Sequence, residues 1–126
     1  MVQTDFLELV VETLEQACTL PEIRLDALAD SGLYAAFDPG YDQARYYDRK
    51  GIRLWPVSFM AKNVDQETCI GQLDTICSYL QHLKQYPQRT GFSWVNADVA
   101  NYPSRVTRQE DGQYIYSCTI HMQVYC

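Results

Sequence analysis

The chain has 126 residues, 47% of them hydrophobic and 21% charged, the size and make-up of one globular domain that buries a core without staples. Its net charge of −6 argues against a protein held on nucleic acid by phosphate contacts and disfavours an anionic membrane surface. The same charge suits a wall past which DNA slides without sticking, because a negative surface repels phosphates.

Residues 4–17 predict a helix, with Thr4 or Asp5 as cap and Glu8 in the box position. Its apolar stripe is Phe6, Val10, Val11, Leu14 and Ala17, and Pro21 helps to end it. In residues 22–43, Leu33 to Phe37 predict a short strand, punctuated by Asp38-Pro39-Gly40, and residues 40–43 an exposed loop. Residues 44–62 predict a hairpin: Ala44 to Tyr47, the turn Asp48-Arg49-Lys50-Gly51, then Ile52 to Lys62. In the second arm Trp55, Val57, Phe59 and Ala61 share one face. Pro56 has no N–H for a ladder, so it points to an edge strand or a bulge.

Asn63, with Gln66 three residues on, caps a predicted helix over 65–84 whose broad apolar face runs from Cys69 to Leu83. Phe92 to Val99 predict a strand, and Tyr102-Pro103 opens a loop. Arg105 to Gln109 and Gln113 to Tyr125 flank Asp111-Gly112, a strong hairpin signal. In the last strand Tyr114, Tyr116, Cys118, Ile120, Met122 and Val124 face the core, and a more polar set faces away. The expected fold class is α+β: one domain over 1–126, with a mixed, mainly antiparallel sheet of two hairpins plus an extra strand. Two helices cover one face of that sheet.

Chemical motifs are few. His82 and His121 lack spaced zinc-type partners. No nucleophile elbow or phosphate-cradling glycine loop is present, and Asp38, Asp42 and Asp48 lack calcium-loop spacing. The five cysteines are odd in number and form no Cys-x-x-Cys pair, so they read as inert thiols in a reducing, cytosolic setting. The N-terminus has no signal-peptide pattern, and no apolar run is long enough to span a bilayer. The 10 tyrosines suit half-wet contact surfaces. The cluster Tyr41, Tyr46, Tyr47 and Trp55 with nearby arginines is more simply cross-strand aromatic pairing than a base-stacking groove.

Three stretches carry a family resemblance. They are Tyr46-Tyr47-Asp48-x-x-Gly51 leading into Trp55-Pro56-Val57-Ser58-Phe59, then Lys62-Asn63-x-Asp65-Gln66 with its helix, then Asp111 to Tyr116. From Tyr46 onward the chain resembles the small minor capsid proteins of long-tailed bacteriophages and prophages, the group of tail terminators or tail-completion proteins. The resemblance implies a virion structural protein without catalysis, cofactor or metal. Such a protein assembles in the host cytoplasm as a ring, commonly hexameric, that caps the head-proximal end of the tail tube. Its partners would be its own copies, the tail tube protein and a neck or head-completion protein, with DNA only passing through the lumen and no membrane involved.

The expected contact residues are Tyr46, Tyr47, Arg49, Lys50 and Arg53 in the first hairpin, Trp55 and Pro56 at an expected edge, and Tyr102 and Arg105 in the expected loop 100–105. The competing expectations are a neck protein joining connector to tail, and a small-molecule-binding domain with its pocket between helix 65–84 and the sheet, near His82 or Tyr114. A nucleic-acid accessory protein is the third.

Overall fold

A computed structural model of the chain describes residues 2–18, 20, 22–25, 31–38, 40–45, 51–88 and 91–125. The elements in chain order are α1 (Val2–Ala17), β1 (Ile23–Arg24), β2 (Gly32–Phe37), β3 (Tyr41–Arg45), β4 (Gly51–Asn63), α2 (Gln66–Gln81), β5 (Ser93–Arg108) and β6 (Tyr114–Tyr125). The six strands form one sheet in the order β1-β2-β4-β6-β5, with β3 also pairing β4. Every pairing is antiparallel except β1 with β2. The expected α+β class therefore holds, with β3–β4 and β5–β6 as the hairpins.

Alternation in the sequence decides which face of the sheet is covered. Trp55, Val57, Phe59 and Ala61 of β4 join Tyr116, Cys118, Ile120, Met122 and Val124 of β6 in one buried cluster. Both helices close that cluster. α1 contributes Phe6, Val10 and Leu14, and α2 contributes Cys69, Leu73, Ile76, Cys77 and Leu80. Phe6 anchors α1 through edge-on contacts with Trp55, Phe92 and Trp94, at 5.4, 5.6 and 5.4 Å between ring centroids. Ring pairs of this geometry add about 0.5–1.5 kcal/mol each beyond their burial. Cys77 of α2 and Cys118 of β6 share a hydrogen bond, and that bond together with burial pushes the Cys118 thiol up. Cys69 is also raised, first by burial.

The helix-free face is only partly polar. Tyr34, Leu54 and Ile115 are buried yet lie outside the helix-covered cluster. Beside them Ser58 donates a hydrogen bond to Asp38 Oδ2 and lies 3.4 Å from the Thr119 hydroxyl. Neither helix is long and apolar enough to cross a membrane.

The structure shifts three local expectations. The cap of α2 is Asp65, not Asn63. Asp65 Oδ1 accepts from Glu67 N at 3.1 Å, while Asn63, still in β4, accepts from Asp65 N at 3.0 Å. An aspartate at this position also complements the positive end of the helix. α1 begins at Val2, so Thr4 and Asp5 lie in its first turn and not at its cap. The last hairpin closes, as its bounds Gln109 and Gln113 predict, through the three residues 110–112. Gln109 N donates to Gln113 O, and Gly112 takes the left-handed conformation at φ 85°. Residues 41–45, expected to be mostly loop, form β3 against β4 with a bulge between Asp42 and Ala44.

Candidate interaction surface

β4 is the centre of the sheet, which overturns the expectation of an edge at Trp55 and Pro56. It pairs β6 from Ile52 to Asn63, and on its other side it pairs β2 and then β3. Trp55 is 5% exposed and touches Phe6 and Phe37 edge-on. Pro56 is buried. Its carbonyl accepts from Asp38 N at 2.9 Å, so the backbone positions of Pro56 face β2 and β3, not β6. The absent N–H falls at the seam where the β2 pairing stops, after Phe37↔Val57, and the β3 pairing has not begun. A proline is thus accommodated in a central strand without removing a bond to β6. Neither residue is available to a partner.

Tyr46, Tyr47, Arg49 and Lys50 lie outside the described residues. Arg53 is half-buried on β4, opposite Asp42 of β3 and Val124 of β6.

Tyr102 and Arg105 do come together, but on a strand. Residues 100–105, expected as a loop, belong to β5, which runs unbroken from Ser93 to Arg108. The registration with β6 slips at several points, one of them between Asn101 and Ser104. The slip leaves Pro103 without a ladder partner, and β5 is an edge strand, so the proline costs little. The first half of β5 buries Trp94 and Ala97, whereas nearly every residue from Ala100 to Arg108 is exposed.

Tyr102 (61% exposed) and Val106 (59%) are the exposed large hydrophobic side chains of this outer half. Tyr102 donates from its hydroxyl to Gln81 Oε1 at the end of α2, at 3.3 Å. Arg108 lies over the Tyr114 ring at 5.6 Å, a cation–π contact that holds the arm side chain in place. The sequence reading missed Val106 and Arg108. Their signal was a strand-length run with a valine between charged and polar neighbours, which has no buried alternation to display.

The space beneath α2, where a pocket was expected near His82 or Tyr114, is packed. Leu73, Ile76 and Leu80 are fully buried there, and His82 is the exposed C-cap, bonded to Ser78 O. Among the described residues no three His, Cys, Asp or Glu side chains come together as metal ligands. The surface that offers itself for contact is the outer half of β5. No protein-family model matches the chain, and no curated protein matches it.

Proposed function

We propose that this protein is a virion structural protein of a long-tailed bacteriophage or prophage, a tail terminator. It acts by forming a ring at the head-proximal end of the tail tube, where it stops tube polymerisation and presents a docking surface to the neck. The observation that carries the reading is the outer half of β5. An edge strand that exposes Tyr102, Val106 and two arginines beyond its own core is a contact element a monomer does not need. The resemblance from Tyr46 to Tyr116 supports the same reading, as does the net charge of −6, which suits a conduit that DNA must leave freely.

The test is assembly with tail tube protein. Purified protein added to polymerising tubes should stop growth, and electron microscopy should show rings on one tube end. A chain that stays monomeric at high concentration and leaves tube growth unchanged would overturn the proposal. Binding to connector components in place of tubes would move the assignment to the neck.

A further inference from the structure

The two edges of the sheet carry opposite charge. At the β1 edge, Glu8, Glu12, Glu15 and Glu22 surround a groove of about 590 Å³ between α1 and β1, floored by Val11 and Ile23. Among the described lining residues Arg24 is the single cation, and Leu25 adds an exposed apolar rim, 42% accessible. Glu15 Oε1 accepts from Ile23 N at 3.2 Å, which ties the two walls together. At the β5 edge, the stretch from Val99 to Gln109 holds Arg105 and Arg108 and no acidic residue. The acidic pair Glu110 and Asp111 lies beyond it, in the hairpin loop.

We infer that the outer half of β5 of one copy docks on the acidic groove between α1 and β1 of the next, making the subunit contact head-to-tail. The inference rests on the ring reading for its setting, and it names the surfaces that reading leaves open.

The sheet register carries the argument. Ile23, Leu33, Ala61, Tyr116 and Arg105 form one continuous row from edge to edge. The groove and Arg105 are therefore level, four strand spacings apart, or about 19 Å. β1 runs antiparallel to β5, as the sequence of pairings requires. A second copy laid edge to edge in the same orientation brings these two strands together antiparallel. Arg105 and Arg108 lie opposite Tyr116 and Tyr114, residues of the helix-covered side, and α1 carries its glutamates on that side too. The arginines of one copy thus meet the carboxylates of the next on the same side of the sheet.

Side chains, not a new ladder, carry the contact. β1 is two residues long and the β5 register slips repeatedly, so a long strand addition has no template. Val106, between the arginines, supplies an apolar group for the exposed Leu25 at the rim of the groove. Two molecules of charge −6 repel as wholes, so a specific contact needs a local change of sign. Pairing of β5 with β5 across a two-fold axis would bring Arg105 and Arg108 against their own kind, which disfavours it. A head-to-tail contact either closes into a ring or runs on as a filament.

Two charge-reversed proteins test this: Arg105→Glu with Arg108→Glu in the arm, and Glu8→Lys with Glu22→Lys in the groove. All four side chains are exposed, so melting curves should match the parent protein. Each variant alone should self-associate at least about tenfold more weakly in sedimentation, with or without tail tubes present. Mixed together they should assemble again as alternating copies, because each arm, native or reversed, then meets a groove of opposite charge. A protein carrying all four changes should assemble again.

Loss of assembly in the arm variant with none in the groove variant would overturn the inference in favour of arm-to-arm pairing. Rings and capped tubes from both variants would overturn it while leaving the terminator reading intact. A parent protein monomeric under every condition would remove both.

Discussion

β5 spends its first half under the helices and its second half in solvent, although both halves pair with the same strand. From Ser93 to Val99 the strand contributes Trp94 and Ala97 to the core, with Phe6 of α1 against Trp94. From Ala100 to Arg108 it contributes almost nothing to burial, and β6 holds it together with the bond from Tyr102 to Gln81 of α2. The inner half is stabilised by area removed from water, the outer half by backbone hydrogen bonds and a few side-chain contacts. Side chains free of packing duty can be chosen for a partner, which leaves the outer half open to the proposed contact.

That division can be broken at four places. The largest effect is expected at the row under the helices. Phe59 is fully buried, and Phe59→Ala should cost about 3–5 kcal/mol, read as a drop in the urea midpoint. A loss under 1 kcal/mol would mean the helices do not close on this face. Next is Gly40, where an added Cβ would run into the Leu54 carbonyl and approach Trp55 and Pro56 side chains at 3.3 Å. Gly40→Ala should cost about 1–3 kcal/mol, and a neutral result would remove the close approach that carries the chain from β2 to β3.

Third is pH. Cys118 and Cys69 hold their protons more tightly in the fold than in the unfolded chain. Their contribution is therefore complete below the unfolded thiol value near ~8.5 and declines as pH rises past it, by at most about 1.4 kcal/mol per pH unit for each thiol. Cys77, lowered by its bond from Cys118, offsets part of this. Urea titrations under reducing conditions at pH 7.5 and 9.5 should show the loss; equal midpoints would contradict it. The smallest effect belongs to the arm. Val106→Ser should change stability by no more than about 0.5 kcal/mol. Amide exchange in residues 100–108 should outpace that in 93–99. Equal protection in the two halves would erase the distinction between them.

Much of the fold was legible because its periodicities are clean. The alternation in β6 and the apolar faces of α1 and α2 named most of their buried residues; Ala17 and Ile70 are exposed, Leu83 and Tyr114 half-buried, and Leu7, Leu9 and Ile115 are buried without having been named. Where a local rule was read without its tertiary setting, the reading failed. Pro56 signals an edge only if its N–H position faces a neighbour, and here it faces a seam. Pro103 was read as a loop, yet an edge strand with a slipped register accepts it. β1 has two residues and no pattern to detect. The candidate surface was half legible: Tyr102 and Arg105 stood out by chemistry, but only the sheet order shows that they share an edge.

The proline at the seam also governs how the chain finds its registration. Asp38 N reaches the Pro56 carbonyl, but Pro56 has nothing to return, so β2 cannot extend its ladder past this point. Nor can β3 slide along β4 to take its place without asking Pro56 for a proton it lacks. A strand of thirteen residues, Gly51–Asn63, with two short partners on one side would otherwise admit several alignments. Pro56 acts as a fixed stop between them, leaving each partner one berth.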